Sequence, residues 1–356
     1  VFANLRKNSM SEIKKYSSLR QNGRQKLEDL LPLKFPMSMY IETTNKCVFR
    51  CRYCPLSDPD FANIVGGFGD MSLSEFVRIA EEIKKGGTLK VLRFYFMGEP
   101  LVNPNLPEMV RIAVQMGIAD RTELTTNGIL LDEKKAQDII SSGLDYLRIS
   151  ISSVDQNRHR FVTQTDFSIN QIFKNIKRFR EIKEKFASEK PFLYIKMLDS
   201  LDNSENEMFI NLYKCIGDEV VLEKPMNWNA FENRNWLQNT FGDSPNIDEK
   251  ILYPYPKEVC PFPFYSLMVN SNGDVSVCCV DWNKATKVGN AFEEPLRNIW
   301  NGKKMQEFRR MHLERQRNKN PSCANCKFLF TVPDNLDNIS RGKFPEILSF
   351  PSDKKL

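Results

Sequence analysis

The sequence predicts an α/β fold, a partial (β/α)6 barrel followed by a small α+β domain. Three observations lead there. Between residues 37 and 225, six strand-like segments alternate with helical ones, the pattern of a parallel sheet with right-handed crossovers. Six units are too few for a closed eight-fold barrel. After residue 225 the periodicity stops, and from Cys260 the pattern changes to a hairpin, a helix and a cysteine pair.

The elements follow in order. Residues 1–36 read as a helical lead-in ending at Pro36, and MSMYIETT (37–44) as the first strand. MSLSEFVRIAEEIKKGG (71–87) is a helix: Ser72 and Glu75 form a capping box, and Phe76, Ile79, Ala80 and Ile83 make one apolar stripe. Gly86 and Gly87 end it. LKVLRFYF (89–96), TELTTNG (122–128), DYLRISISS (145–153), PFLYIKM (191–197) and DEVVLEKP (218–225) are the next strands. The helices between them are LPEMVRIAVQMG, DEKKAQDIISSG, SINQIFKNIKRFREIKEKFA and EMFINLYKCIG. Residues 226–259, rich in Asn, Trp, Pro and acidic residues, read as a linker. In the second domain, 260–330, YSLMVNSNGDVSVCC is a hairpin turning at Asn272-Gly273, and EPLRNIWNGKKMQEFRRMH is a helix. Residues 331–356 are an irregular tail.

A chain of 356 residues with 41% apolar and 27% charged residues can bury a large core without disulfides. No apolar run approaches a membrane span, and the N-terminal segment lacks a signal core. Nine cysteines without a secretion signal predict a reducing, cytoplasmic setting in which thiols serve as metal ligands or catalytic groups. The net charge of +6 is spread along the chain, and FKNIKRFREIKEKF reads as a solvated helix face, so neither nucleic acid nor membrane is an expected partner. With only His159 and His312, most zinc-hydrolase and Ser-His-Asp chemistries are excluded.

Three cysteines, Cys47, Cys51 and Cys54, follow the first strand, on the side where barrel folds place their chemistry. Three thiolates on one loop can hold three irons of a cubane cluster and leave the fourth iron open to a small molecule. A zinc ion borrowing a distant fourth ligand would show the same spacing.

The C-x3-C-x2-C spacing, with Tyr53 before the third cysteine and further motifs in order, resembles the radical S-adenosylmethionine superfamily. The resemblance implies a [4Fe-4S] cluster on Cys47, Cys51 and Cys54 whose open iron chelates S-adenosylmethionine. FMGEP (96–100) resembles the family's GGEP motif with Met97 in place of the first glycine. It implies that Gly98, Glu99 and Pro100 lie against the methionyl amino group. Thr126 and Asn127 of TTNG would also lie near the cofactor. Ser150 and Ser152 are candidates for its ribose or carboxylate, and ordinary strand serines would read the same. Arg160 and Lys196 are weaker candidates, each equally a solvated charge. The implied chemistry is reductive cleavage of the sulfonium to a 5′-deoxyadenosyl radical that abstracts hydrogen from a C–H bond, with flavodoxin or ferredoxin as electron donor.

A second four-thiolate site can be drawn from Cys260, Cys278, Cys323 and Cys326, and a zinc ribbon would use the same logic. GDVSVCCVDW, VGNAFEEPLRNIW and CANC resemble the auxiliary-cluster domain called twitch, a shortened SPASM domain, which implies one protein-ligated [4Fe-4S] cluster. Cys215, among apolar helical neighbours, reads as core. Cys279 sits beside a cluster ligand on a strand, so its side chain should face the opposite way, toward substrate. Some related peptide epimerases use such a second cysteine as hydrogen-atom donor, which makes Cys279 the catalytic candidate; a small buried filler or an alternative ligand would read the same.

Three functions follow. The first is oxidation or epimerisation of a hydroxylated carbon on a sugar, cyclitol or related metabolite, since the one-cluster arrangement resembles aminocyclitol dehydrogenases. The second is radical modification of a ribosomal peptide or protein, for which a 36-residue lead-in is short of a leader-binding domain. The third, a non-enzymatic metal protein, fits poorly with an open three-cysteine site.

Overall fold

The computed structural model describes residues 25–225, 240 and 254–348. Most of the proposed linker, most of the lead-in and the last eight residues of the tail lie outside them. Nine strands form one sheet in the order β6-β5-β4-β3-β2-β1-β7-β8-β9. The first six, β1 (Ser38–Ile41), β2 (Val91–Phe94), β3 (Thr122–Thr126), β4 (Tyr146–Ile151), β5 (Phe192–Leu198) and β6 (Glu219–Glu223), are all parallel. A short helix α1 (Phe61–Val65) follows the cysteine loop. The crossovers carry α2 (Leu73–Gly86), α3 (Leu106–Met116), α4 (Glu133–Ser141), α5 (Gln156–Thr163), α6 (Ile169–Lys185) and α7 (Asn203–Tyr213). The six expected parallel strands and the helical crossovers between them are present, with strands somewhat shorter than the sequence suggests.

One side of the sheet is the core. Met39, Ile41, Leu92, Phe94, Leu124, Leu147, Ile149, Leu193 and Ile195 alternate along the strands and pack on the apolar stripes of the helices. The stripe of α2 is the predicted one, and its Ser72–Glu75 capping box is formed in both directions. The residues between these positions, Ser38, Tyr40, Arg93, Glu123, Arg148, Ser150, Tyr194 and Lys196, therefore share the inner face, and their strand register sets them side by side. Helix α5 is an addition to the expected pattern. Its segment has little apolar periodicity, and it is fixed instead by the Asp155 carboxylate, which accepts from Arg158 N at 2.7 Å.

Past the linker, β7 (Ser266–Val269) lies parallel against β1, pairing Ser38 with Ser266 through Ile41 with Val269. The predicted hairpin thus extends the barrel sheet. β8 (Asp274–Ser276) and β9 (Lys287–Asn290) continue it antiparallel. Helices α8 (Leu296–Asn301) and α9 (Lys303–Leu313) cover this end, followed by the one-turn α10 (Pro321–Ala324) and α11 (Phe344–Leu348). Cys215 is a correction: it follows the end of α7 and is exposed, because Phe209 and Tyr213 occupy the buried side and position 215 falls on the opposite side. Among the described residues no helix is long and apolar enough to cross a membrane.

Candidate active site

Three loops at the C-terminal ends of β1, β2 and β3 are sewn together. The cysteine loop docks on α5, with Arg50 N and Arg52 N donating to the carbonyls of Thr163 and Val162 at 2.9 and 2.8 Å. Within it, Cys54 N donates to the Cys51 carbonyl at 2.8 Å, and Phe49 N lies 3.4 Å from Cys47 Sγ. Tyr53 hydrogen-bonds the Cys51 sulfur. Gly98 has φ +79°, and a Cβ there would sit 2.5 Å from the Thr44 carbonyl, so only glycine lets the FMGEP loop close on the cysteine loop. Glu99 N then donates to the Lys46 carbonyl at 2.8 Å, and Pro100 starts a buried turn.

The Glu99 carboxylate is 2% exposed and accepts from Thr126 Oγ1 (2.7 Å), Asn127 N (2.7 Å) and Leu101 N (3.1 Å). Its structural work is thus to pin TTNG to FMGEP. Asn127 Nδ2 in turn points at Cys47 Sγ, 4.0 Å away. Ser152 Oγ is bonded to His159 Nδ1 at 2.7 Å, whereas Ser150 stands beside Lys196 on the inner face. Arg160 is paired with Asp166 on the surface, away from this group.

The inner face is a polar chamber. Arg93 reaches Glu123 at 2.8 Å and stacks on Tyr40, 4.8 Å from the ring centroid. Arg148 reaches Tyr95 Oη at 3.3 Å and Glu223 at 3.1 Å, and Lys196 meets Glu223 at 2.5 Å. Against the cost of its partial burial, Lys196 and Arg148 hold the Glu223 carboxyl down to about 2. Strand alternation in the sequence marks these residues, since each lies two positions from the next inward residue of its own strand.

The second cysteine set comes together from three segments. Cys260, Cys278, Cys323 and Cys326 line one cavity of about 30 Å³ with Phe262, Val277 and His312. Arg317 donates to the carbonyls of Cys323 (2.5 Å) and Cys326 (3.0 Å). Asp281 is 1% exposed and accepts from Thr286 Oγ1 (2.6 Å) and Ser322 Oγ (2.8 Å), tying the segment after the cysteine pair to α10. Of these helpers Asp281 lies in the GDVSVCCVDW segment, whereas Arg317 and Ser322 carry no motif of their own.

Cys279 does not line that cavity. The strand β8 ends at Ser276, so the alternation expected for Cys278 and Cys279 is corrected: a turn, and not a pleat, separates their side chains. Hydrogen bonds from Cys278 and Tyr40, with Arg93 nearby, favour its thiolate against the effect of burial. Trp282, three residues on, is 2% exposed and stacks on Phe61 with centroids 6.2 Å apart. The cluster it forms with Leu56, Phe61 and Val65 packs against Cys47, Cys54 and Met97. Lys284 Nζ reinforces it at the Val65 carbonyl, 2.8 Å. The second cysteine segment therefore closes over the first.

The donor sets fit iron–sulfur clusters. Burial, with the Glu99 carboxylate and Cys54 beside Cys47 and Cys326 beside Cys260, pushes the Cys47 and Cys260 thiols up to about 12, and burial with the neighbouring sulfurs raises Cys51 well above its usual value. Such buried thiols become thiolates only with cationic metal beside them. Among the described residues no three ligands converge on a single ion, although four cysteines share one cavity.

Residues 41–187 match the model of the radical SAM superfamily, and residues 260–327 match that of an iron-sulfur cluster-binding domain, SPASM. A GTP 3',8-cyclase from Chlorobaculum tepidum is 26% identical over 222 residues, 61% of each chain. The matched part thus spans about three fifths of that relative, and less of several others. Among solved structures, BtrN in complex with AdoMet and 2-DOIA has a TM-score of 0.51 at 20% identity, covering 82% of this chain and 93% of BtrN. Streptococcus suis SuiB bound to precursor peptide SuiA has a TM-score of 0.58 at 15% identity, covering 86% and 72%.

Proposed function

The chain belongs to the radical S-adenosylmethionine superfamily and carries a SPASM-type iron–sulfur domain, and from that premise we propose that it oxidises a hydroxyl-bearing carbon of a small polar metabolite. Bound at Cys47, Cys51 and Cys54 and at Cys260, Cys278, Cys323 and Cys326, two [4Fe-4S] clusters supply reductive cleavage of S-adenosylmethionine to a hydrogen-abstracting radical and a sink for one electron.

The chain's own residues do the rest. Gly98 and Glu99 hold the FMGEP and TTNG loops against the cysteine loop, which fixes where the cofactor's methionyl end can lie. Tyr53, Thr126, Asn127 and Ser150 border that place. Ser152 acts on it only through its bond to His159. Arg93, Arg148, Tyr95 and Lys196 present donors to the oxygens of a polyhydroxylated substrate. Trp282 and Phe61 exclude water from the cysteine loop. The substrate carbon gives up one hydrogen atom and one electron, and its hydroxyl gives up one proton, leaving a ketone. Cys279 Sγ accepts that proton, with Tyr40 Oη beside it as the hydrogen-bonded relay.

The observation that carries this reading is the position of Cys279, outside the auxiliary cavity and bonded to Tyr40 on the inner face. The same position suits a second reading, epimerisation, in which the thiol returns a hydrogen atom. Incubation of the reduced enzyme with polyhydroxylated candidates and peptides in deuterated water separates the two. The oxidation reading expects a ketone without solvent deuterium at the carbon, and at least tenfold slower turnover in Cys279→Ala while 5′-deoxyadenosine still forms. An inverted carbon carrying one deuterium establishes epimerisation instead. A Cys279→Ala variant with full turnover removes the thiol from either chemistry. Flavodoxin or ferredoxin is the proposed source of the first electron.

A further inference from the structure

His312 is one of two histidines in the chain and has no part in the function proposed above. It lies in the last turn of α9 and lines the auxiliary cavity together with Cys260, Cys278, Cys323 and Cys326. The residue is 1% exposed, and neither ring nitrogen has a hydrogen-bond partner. Its close ring neighbour is Phe308, with centroids 5.1 Å apart, which offers no acceptor in the ring plane. The nearby cation, Arg317, spends its guanidinium on the carbonyls of Cys323 and Cys326. Burial and that guanidinium hold the imidazole down to about 4, so at neutral pH the ring is uncharged and carries one N–H.

A buried N–H without an acceptor is costly, and native proteins rarely leave one. The cavity that His312 faces is walled by four sulfurs, and a cluster seated there presents sulfide and thiolate acceptors. We propose that His312 donates its ring N–H to a sulfur of the auxiliary cluster and thereby raises that cluster's reduction potential. The direction follows from charge: reduction adds an electron to the sulfur-bearing core, and a donor stabilises the more negative state. His312 is thus a positioning and tuning residue, and it sets how readily the auxiliary site accepts an electron.

The inference rests on the assignment of the four cysteines to the cluster, and the experiment keeps the two apart. The protein is prepared with Cys47, Cys51 and Cys54 all replaced by Ala, so that the auxiliary site alone holds about four irons. Pulsed EPR of the reduced cluster in protein labelled with ¹⁵N-histidine is expected to show one weak nitrogen coupling; His159, the other histidine, lies beside the emptied loop. In redox titrations His312→Phe is expected to keep its iron and titrate at a more negative potential. His312→Gln, which keeps an N–H, should fall between. Unchanged potential with full iron in His312→Phe overturns the proposal, as does a strong coupling that reports a direct iron–nitrogen bond, or no coupling. If His312→Phe fails to assemble, the labelled protein with native His312 still decides. Full iron retained in Cys323→Ala of the same background would instead sink the ligand assignment.

Discussion

The two cysteine sites are built in opposite ways. Cys47, Cys51 and Cys54 come from one loop of eight residues, and backbone bonds inside that loop and to α5 set their relative positions. Cys260, Cys278, Cys323 and Cys326 come from three segments, joined by Asp281, Ser322 and Arg317. The first site can be lost without unpicking the fold around it. The second is itself part of what holds the C-terminal end together. A spacing motif is therefore sufficient to recognise the first, while the second exists only once β7, β8 and α10 have found their places.

The largest expected effect tests the local site. Replacing Cys47, Cys51 and Cys54 together by Ala should abolish cleavage of S-adenosylmethionine, assayed as 5′-deoxyadenosine, and lower the iron content from about eight to about four. The unfolding midpoint should move little. Cleavage that persists in this variant would dissolve the distinction between the sites.

The dispersed site should behave differently. Single replacement of Cys260, Cys278, Cys323 or Cys326 should remove about four irons, stop substrate turnover and leave uncoupled cleavage partly intact. Because metal binding and folding are linked where ligands come from separate segments, each variant should also melt earlier and be cut sooner by protease between residues 260 and 330. A melting point equal to that of the loop variant would show that the two sites contribute alike.

The smallest effect sharpens the barrel side of the comparison. His159 is fully buried beside Ser152 and Phe49, and burial holds its ring down to about 4. The unfolded chain binds a proton near pH 6.5, so the folded state is favoured fully above that pH and loses the advantage as pH falls toward 4. Urea unfolding at pH 7 and pH 5 should differ by about 1–2 kcal/mol more in the native protein than in His159→Gln. Equal pH dependence would mean that the ring titrates freely.

Much of the fold is legible in the amino-acid order itself. The six β/α units stand out because amphipathic helices and short apolar strands repeat with their own periods, and the stripe of α2 and its Ser72 cap are local signals. The cysteine loop, Gly98 and Glu99 are local as well. The pairing of β7 with β1 is not legible, since hydrogen bonds between strands some 228 residues apart leave no trace in either segment. Arg317 and His312 escape a sequence reading for the same reason: each is ordinary in its own segment and acquires a role from a distant neighbour. Cys215 misleads because its apolar neighbours in sequence become the other side of a finished helix.

The contact of β7 with β1 also has a consequence for biogenesis. One edge of β1 stays without its partner until the chain has grown past Val269. At about 5–20 residues per second, the interval between the two strands occupies roughly ten to forty-five seconds of synthesis. Throughout it the loop with Cys47, Cys51 and Cys54 lacks Trp282, the side chain that later packs over it. In the finished protein the same cysteines are half-buried beneath that packing. The order of the segments along the chain thus leaves the cysteine loop without that cover until Trp282 has been made.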